Sequence, residues 1–113
     1  MNIQKTKGTI VKITDLSETA KEVCIKLPNN LNFIAGSFVN IFMDIDGEKV
    51  RRAYSITSSD SKQNEISLAI RLSPSGKMTP VFWKENLIGK TVELMGPLGL
   101  NTADKIKQRK IYL

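Results

Sequence analysis

Apolar residues in this chain recur at every second position, and that period limits what it can become more than any single motif does. A strand turns successive side chains to opposite faces, so period-two spacing gives each segment one apolar face. Val23, Ile25 and Leu27 alternate with Cys24 and Lys26 ahead of Pro28, and Ile66, Leu68 and Ile70 do the same within Glu65–Leu72. Thr9–Thr14 is rich in β-branched residues and reads as a strand. Phe38–Ile45 and Glu48–Ile56 flank Asp46-Gly47, a hairpin signal because a type I′ turn needs positive φ at both central residues. Ser58–Asn64 is a polar loop. Thr91–Met95 reads as the last strand, closed by a turn over Gly96-Pro97-Leu98-Gly99. One helix breaks the order: Thr79 suits its N-cap, Pro80 its first position, and Gly89 its end. Six short strands, with a helix between the fifth and sixth, predict an all-β, closed antiparallel barrel.

At 113 residues the chain fits one domain. It holds one cysteine, Cys24, and no histidine. That excludes a disulfide framework, CxxC zinc sites, and Ser-His-Asp or Cys-His catalysis. Met1–Gly8 lacks a signal-like apolar stretch and no apolar run reaches membrane-spanning length, so a cytoplasmic domain without membrane insertion is expected. The formal charge is +6. Four cations (Lys105, Lys107, Arg109 and Lys110) crowd the last nine residues, and without them the excess is +2. No basic stripe is interleaved with aromatics, so a solvated basic surface is favoured over nucleic-acid binding.

Chemistry is concentrated in three places. In Arg51–Ser59, strand alternation puts Arg52, Tyr54 and Ile56 on one face and Ala53, Ser55 and Thr57 on the other. An arginine beside a tyrosine offers a bidentate phosphate clamp next to a flat stacking surface, and Ser55 adds a hydroxyl. The plain alternative is a half-buried strand with solvated arginines. Ser73–Pro80 combines Gly76, Lys77 and Thr79 ahead of the helix, an anion-binding arrangement or an ordinary capped turn. It lacks Walker A spacing. Gly96–Gly99 taken alone is a turn. Cys24 reads as a small buried hydrophobe and Trp83 as a helix residue packed on the barrel. Asp44, Asp46 and Glu48 read as solvated turn residues, so no metal site is expected.

Taken in order, these segments resemble the flavin-binding domain of the ferredoxin–NADP reductase superfamily over essentially the whole chain. Arg52-Ala53-Tyr54-Ser55 resembles the family's RxYS motif, extended by Thr57, Ser58 and Ser59. Phe33–Val39 resembles its F-x-P-G-Q-F-V segment, with Ala35 and Ser37 in place of Pro and Gln. Leu68-Ala69-Ile70-Arg71-Leu72 is similar to the strand before the phosphate loop, and Gly76-Lys77-Met78-Thr79 to the GxxS/T loop itself. Gly89–Gly99 is similar to the closing strand and GPxG turn; Leu100-Asn101 follows where many relatives place an aromatic.

The resemblance implies a six-stranded Greek-key β-barrel that binds FAD, with FMN the lesser alternative. It implies that Arg52 clamps the phosphate, Tyr54 lies against the isoalloxazine and Ser55 sits near flavin N5, making Tyr54 and Ser55 the candidate catalytic residues. Ala53, Ser58, Ile70, Arg71, Leu72, Gly76, Lys77, Met78 and Thr79 complete the expected cofactor-binding set. It implies a flavin domain over 1–104, with 105–113 the start of a nicotinamide-binding domain cut short, and an iron–sulfur electron carrier as acceptor. Without that second domain, NAD(P)H has no donor site, and the chain alone is expected to be inactive and even to purify without flavin. A rival from another class is an OB-like barrel that binds single-stranded nucleic acid or oligosaccharide.

Overall fold

The computed structural model describes residues 3–99. The 104/105 boundary, the basic cluster after it and the strand start expected at Arg109–Leu113 lie outside the described residues. The elements are β1 (Gln4–Ser17), β2 (Ala20–Lys26), β3 (Phe38–Ile45), β4 (Glu48–Ser55), β5 (Glu65–Arg71), α1 (Val81–Lys84) and β6 (Thr91–Leu98). All six strands form one antiparallel sheet in the order β4-β3-β6-β1-β2-β5, with β6 inserted between β3 and β1 in Greek-key fashion. The sheet curls until its two edge strands meet at a single antiparallel bridge, Ile56 to Leu68. The result is a half-barrel filled by Ile10, Ile25, Ile41, Ile66, Leu68, Ile70, Leu94 and their neighbours.

The β3–β4 hairpin turns as expected, with positive φ at Asp46 (53°) and Gly47 (79°). Strand β1 is longer than its β-branched segment. Its polar first half pairs with β6 (Gln4 opposite Gly96 through Thr9 opposite Thr91) and its second half with β2. A register shift between Ile10 and Lys12 leaves Val11 bulged outward. The bulge lets Ile10 and Ile13, three apart, both reach the core, and it adds the twist that curls the sheet.

Two expectations need correction. Strand β6 continues through Gly96-Pro97-Leu98 instead of turning there: Gly96 pairs with Gln4, and Leu98 pairs with Phe38 across a register irregularity. A side chain at position 96 would come within 2.7 Å of Val39 Cγ1, which explains the glycine. The helix is only four residues long, its N-cap is Pro80 rather than Thr79, and no side chain caps it. It ends at Glu85, well before Gly89. The following backbone is drawn to β1 instead: Gly89 N–H donates to Ile10 O (2.7 Å), and Ile10 N–H to Lys90 O (2.9 Å).

Candidate functional site

The barrel is closed at one end and open at the other. At the closed end, Thr57 N–H donates to Ser67 O (2.8 Å), the Thr57 hydroxyl donates to the same oxygen (3.1 Å), and Ser67 N–H donates to Ser58 Oγ (3.0 Å). No ladder joins β4 to β5 beyond the Ile56–Leu68 bridge. Backbone groups alternate sides along a strand. Ile56 N–H points to β3, onto Ser37 O, whereas Thr57 N–H points to β5, so Ser55 and Ala53 turn their N–H and C=O toward the gap. On β5, Leu72 N–H points to β2, onto Thr19 O, and Ser67 faces β4, so Ala69 and Arg71 turn theirs toward the same gap. Beyond that bridge, where Ser55 O faces Ala69 N–H, the two edges run on without a ladder, a seam that invites a ligand bearing donors and acceptors.

Arg52 and Tyr54 occupy the same face of β4, as alternation requires. Arg52 is exposed; its guanidinium donates to Arg51 O (2.7 Å) and makes no ion pair among the described residues. Tyr54 is half-buried against the core, and its hydroxyl is enclosed without a hydrogen-bond partner. Such an orphaned group costs about 1–3 kcal/mol in the cofactor-free chain. Burial pushes the Tyr54 phenol above its ordinary 10.0, with the Arg52 charge opposing, so it stays protonated at neutral pH. Ser55 is exposed on the other face, bordering the seam.

The remaining expected residues divide by what they do. Ile70 and Met78 are buried in the core, so their side chains anchor β5 and the following loop rather than face a ligand. Leu72 is partly exposed at the end of β5. The Ser58 hydroxyl is spent on Ser67, closing the barrel. The Thr79 hydroxyl is likewise spent: it accepts from Ser73 N–H (2.9 Å) and donates to Ser73 O (3.1 Å), cinching the 73–79 loop. What the loop offers an anion is therefore backbone, because the N–H groups of Lys77, Met78 and Thr79 donate to no described residue. One turn of α1 supplies little dipole, so these three successive amides and the Lys77 charge carry the attraction.

A groove of about 860 Å³ runs beside the loop, walled by Glu48, Leu72, Pro74, Gly76, Lys77 and Trp83. Arg52 and Tyr54 do not line it; they stand on the neighbouring β4 edge. Across the groove the Glu48 carboxylate pairs with Lys77 Nζ. Lys77 and, more weakly, Arg52 hold the Glu48 carboxyl below the usual range. Sequence reasoning treated Glu48 as a solvated turn residue. The signal it overlooked is parity, since Glu48 lies four residues before Arg52 and so shares its face.

This is the geometry of a cofactor-binding barrel, in which a flat ring with a phosphate tail can complete the edge that the chain leaves unpaired. That cofactor is FAD: the chain belongs to the oxidoreductase FAD-binding domain family, whose model matches residues 7–102. It is 36% identical over 98 residues to the reductase component DmpP of phenol 2-monooxygenase from Pseudomonas sp. (strain CF600), covering 86% of this chain and 27% of that protein. It is 34% identical over 109 residues to the toluate 1,2-dioxygenase electron transfer component of Pseudomonas putida, covering 95% of this chain and 32% of the relative. The solved ferredoxin reductase in carbazole 1,9a-dioxygenase matches 88% of this chain and 30% of its own, with a TM-score of 0.80 at 26% identity. The chain thus spans about a third or less of the length of these relatives. The open seam and the three amides of the 77–79 loop fit that cofactor. Family membership favours it over the nucleic-acid or oligosaccharide barrel. Among the described residues, no helix is long and apolar enough to cross a membrane and no acidic or cysteine cluster could hold a metal.

Proposed function

We propose that this chain is the flavin-holding part of an NAD(P)H-dependent reductase whose acceptor is an iron–sulfur protein or an oxygenase, as the reductase and electron-transfer names of its relatives suggest. A cytoplasmic setting and a companion nicotinamide-binding domain in the parent protein belong to the same proposal. Bound FAD supplies the redox chemistry, accepting hydride and releasing electrons singly or in pairs. The chain's own groups bind and orient it. Arg52 neutralises the diphosphate with a planar donor fork, and the amides of Lys77, Met78 and Thr79 receive its other oxygens. Tyr54 gives the ring an apolar wall. The backbone edges of Ala53, Ser55, Ala69 and Arg71 meet the ring's donors and acceptors, and Ser55 Oγ orients the reactive edge.

The observation that carries this proposal is the unzipped seam with Arg52 and Tyr54 on one face beside it. Fluorescence titration with FAD tests it. Arg52→Met is expected to weaken FAD binding by roughly tenfold or more, the scale of a lost charge-assisted hydrogen-bond pair. Unchanged affinity in that variant would contradict the proposal.

A further inference from the structure

We infer that Glu48 is a built-in placeholder for the cofactor's diphosphate, pairing with Lys77 until FAD displaces it. The inference rests on the FAD site proposed above. Glu48 reaches from the start of β4 across the groove to Lys77, on the loop whose neighbouring amides are free. Arg52, on the same strand face, attracts the same carboxylate. A carboxylate therefore pairs with one of the two cations assigned to the diphosphate and shares a strand face with the other, supplying at Lys77 the negative charge that a phosphate would supply. Its side chain is 60% exposed and that of Lys77 57%, so the pair is weak and water-screened. A doubly charged diphosphate with several acceptor oxygens outcompetes it. What remains after loading is a carboxylate near phosphate, a repulsion that lowers affinity. Glu48 thus sets how tightly the phosphate tail is held without touching the redox ring.

The test uses the 113-residue chain and its Glu48→Gln variant, titrated at low salt with FAD and with riboflavin, which shares the ring but has no phosphate. Glu48→Gln keeps the size of an exposed side chain, and circular dichroism verifies its fold. The expected result is FAD bound about three- to tenfold more tightly by the variant, with riboflavin affinity unchanged. Weaker FAD binding would overturn the inference, because Glu48 would then be positioning Lys77 rather than competing for it. Equal tightening of riboflavin would also overturn it, since phosphate would not be involved. Arg52→Met run in parallel separates the two levels: if it weakens FAD while Glu48→Gln gives no gain, the placeholder alone falls. If Arg52→Met changes nothing, the site itself falls and the placeholder with it.

Discussion

Tyr54 carries a polar group that the free chain leaves unsatisfied. Its ring packs on the core while its hydroxyl is enclosed with no partner. Removing an unsatisfied hydroxyl relieves its desolvation cost, so Tyr54→Phe is expected to leave the cofactor-free chain equally stable or up to about 1 kcal/mol more stable in urea unfolding. The pH dependence has a definite sign. The folded phenol titrates above its unfolded value of 10.0, so its contribution is fully present below pH 10 and is lost as pH rises through the raised folded value. As pH rises through 10.0 toward the raised folded value, the native chain should therefore lose more stability than Tyr54→Phe. Cys24, expected to be buried, is half-buried, its thiol donating to Glu65 at 3.4 Å, and burial raises its pKa.

Elements were legible where their own residues decide them and obscured where a partner does. The β3–β4 hairpin was readable because Asp46-Gly47 dictates its turn chemistry locally. Gly47, at φ 79°, has no atom within 4 Å of where a Cβ would stand. Gly47→Ala should therefore cost about 1–2 kcal/mol from backbone conformation alone. Gly8→Ala should destabilise by a different route, about 1–3 kcal/mol of overpacking, because its methyl would collide with the Ile25 side chain. Denaturant unfolding at one pH compares the two. The first half of β1 was unreadable because Gln4–Lys7 owes its extension to the β6 ladder rather than to β propensity. The helix was over-read for the reverse reason, as the Thr79 side chain and the Gly89 and Lys90 backbone found partners outside it.

At the scale of the whole molecule, the alternating pattern gave six strands and one barrel, but nothing in it distinguishes a fully paired barrel from one with an open seam. Pairing between edges depends on where the curled sheet stops zipping, and that is set at a distance by the β1 bulge and by Thr57 and Ser58 clasping Ser67. The motif residues border the open seam, while the backbone edges of Ala53, Ser55, Ala69 and Arg71 could be found only in three dimensions. Those edges also provide the most direct test. Amide hydrogen exchange on the 113-residue chain, with and without saturating FAD, should show fast exchange at Ala53, Ser55, Arg71 and residues 77–79 in the free chain. The amides that gain protection when FAD is added should be concentrated at these positions. Stoichiometric FAD binding that left them exchanging as before would contradict the seam as the flavin's place.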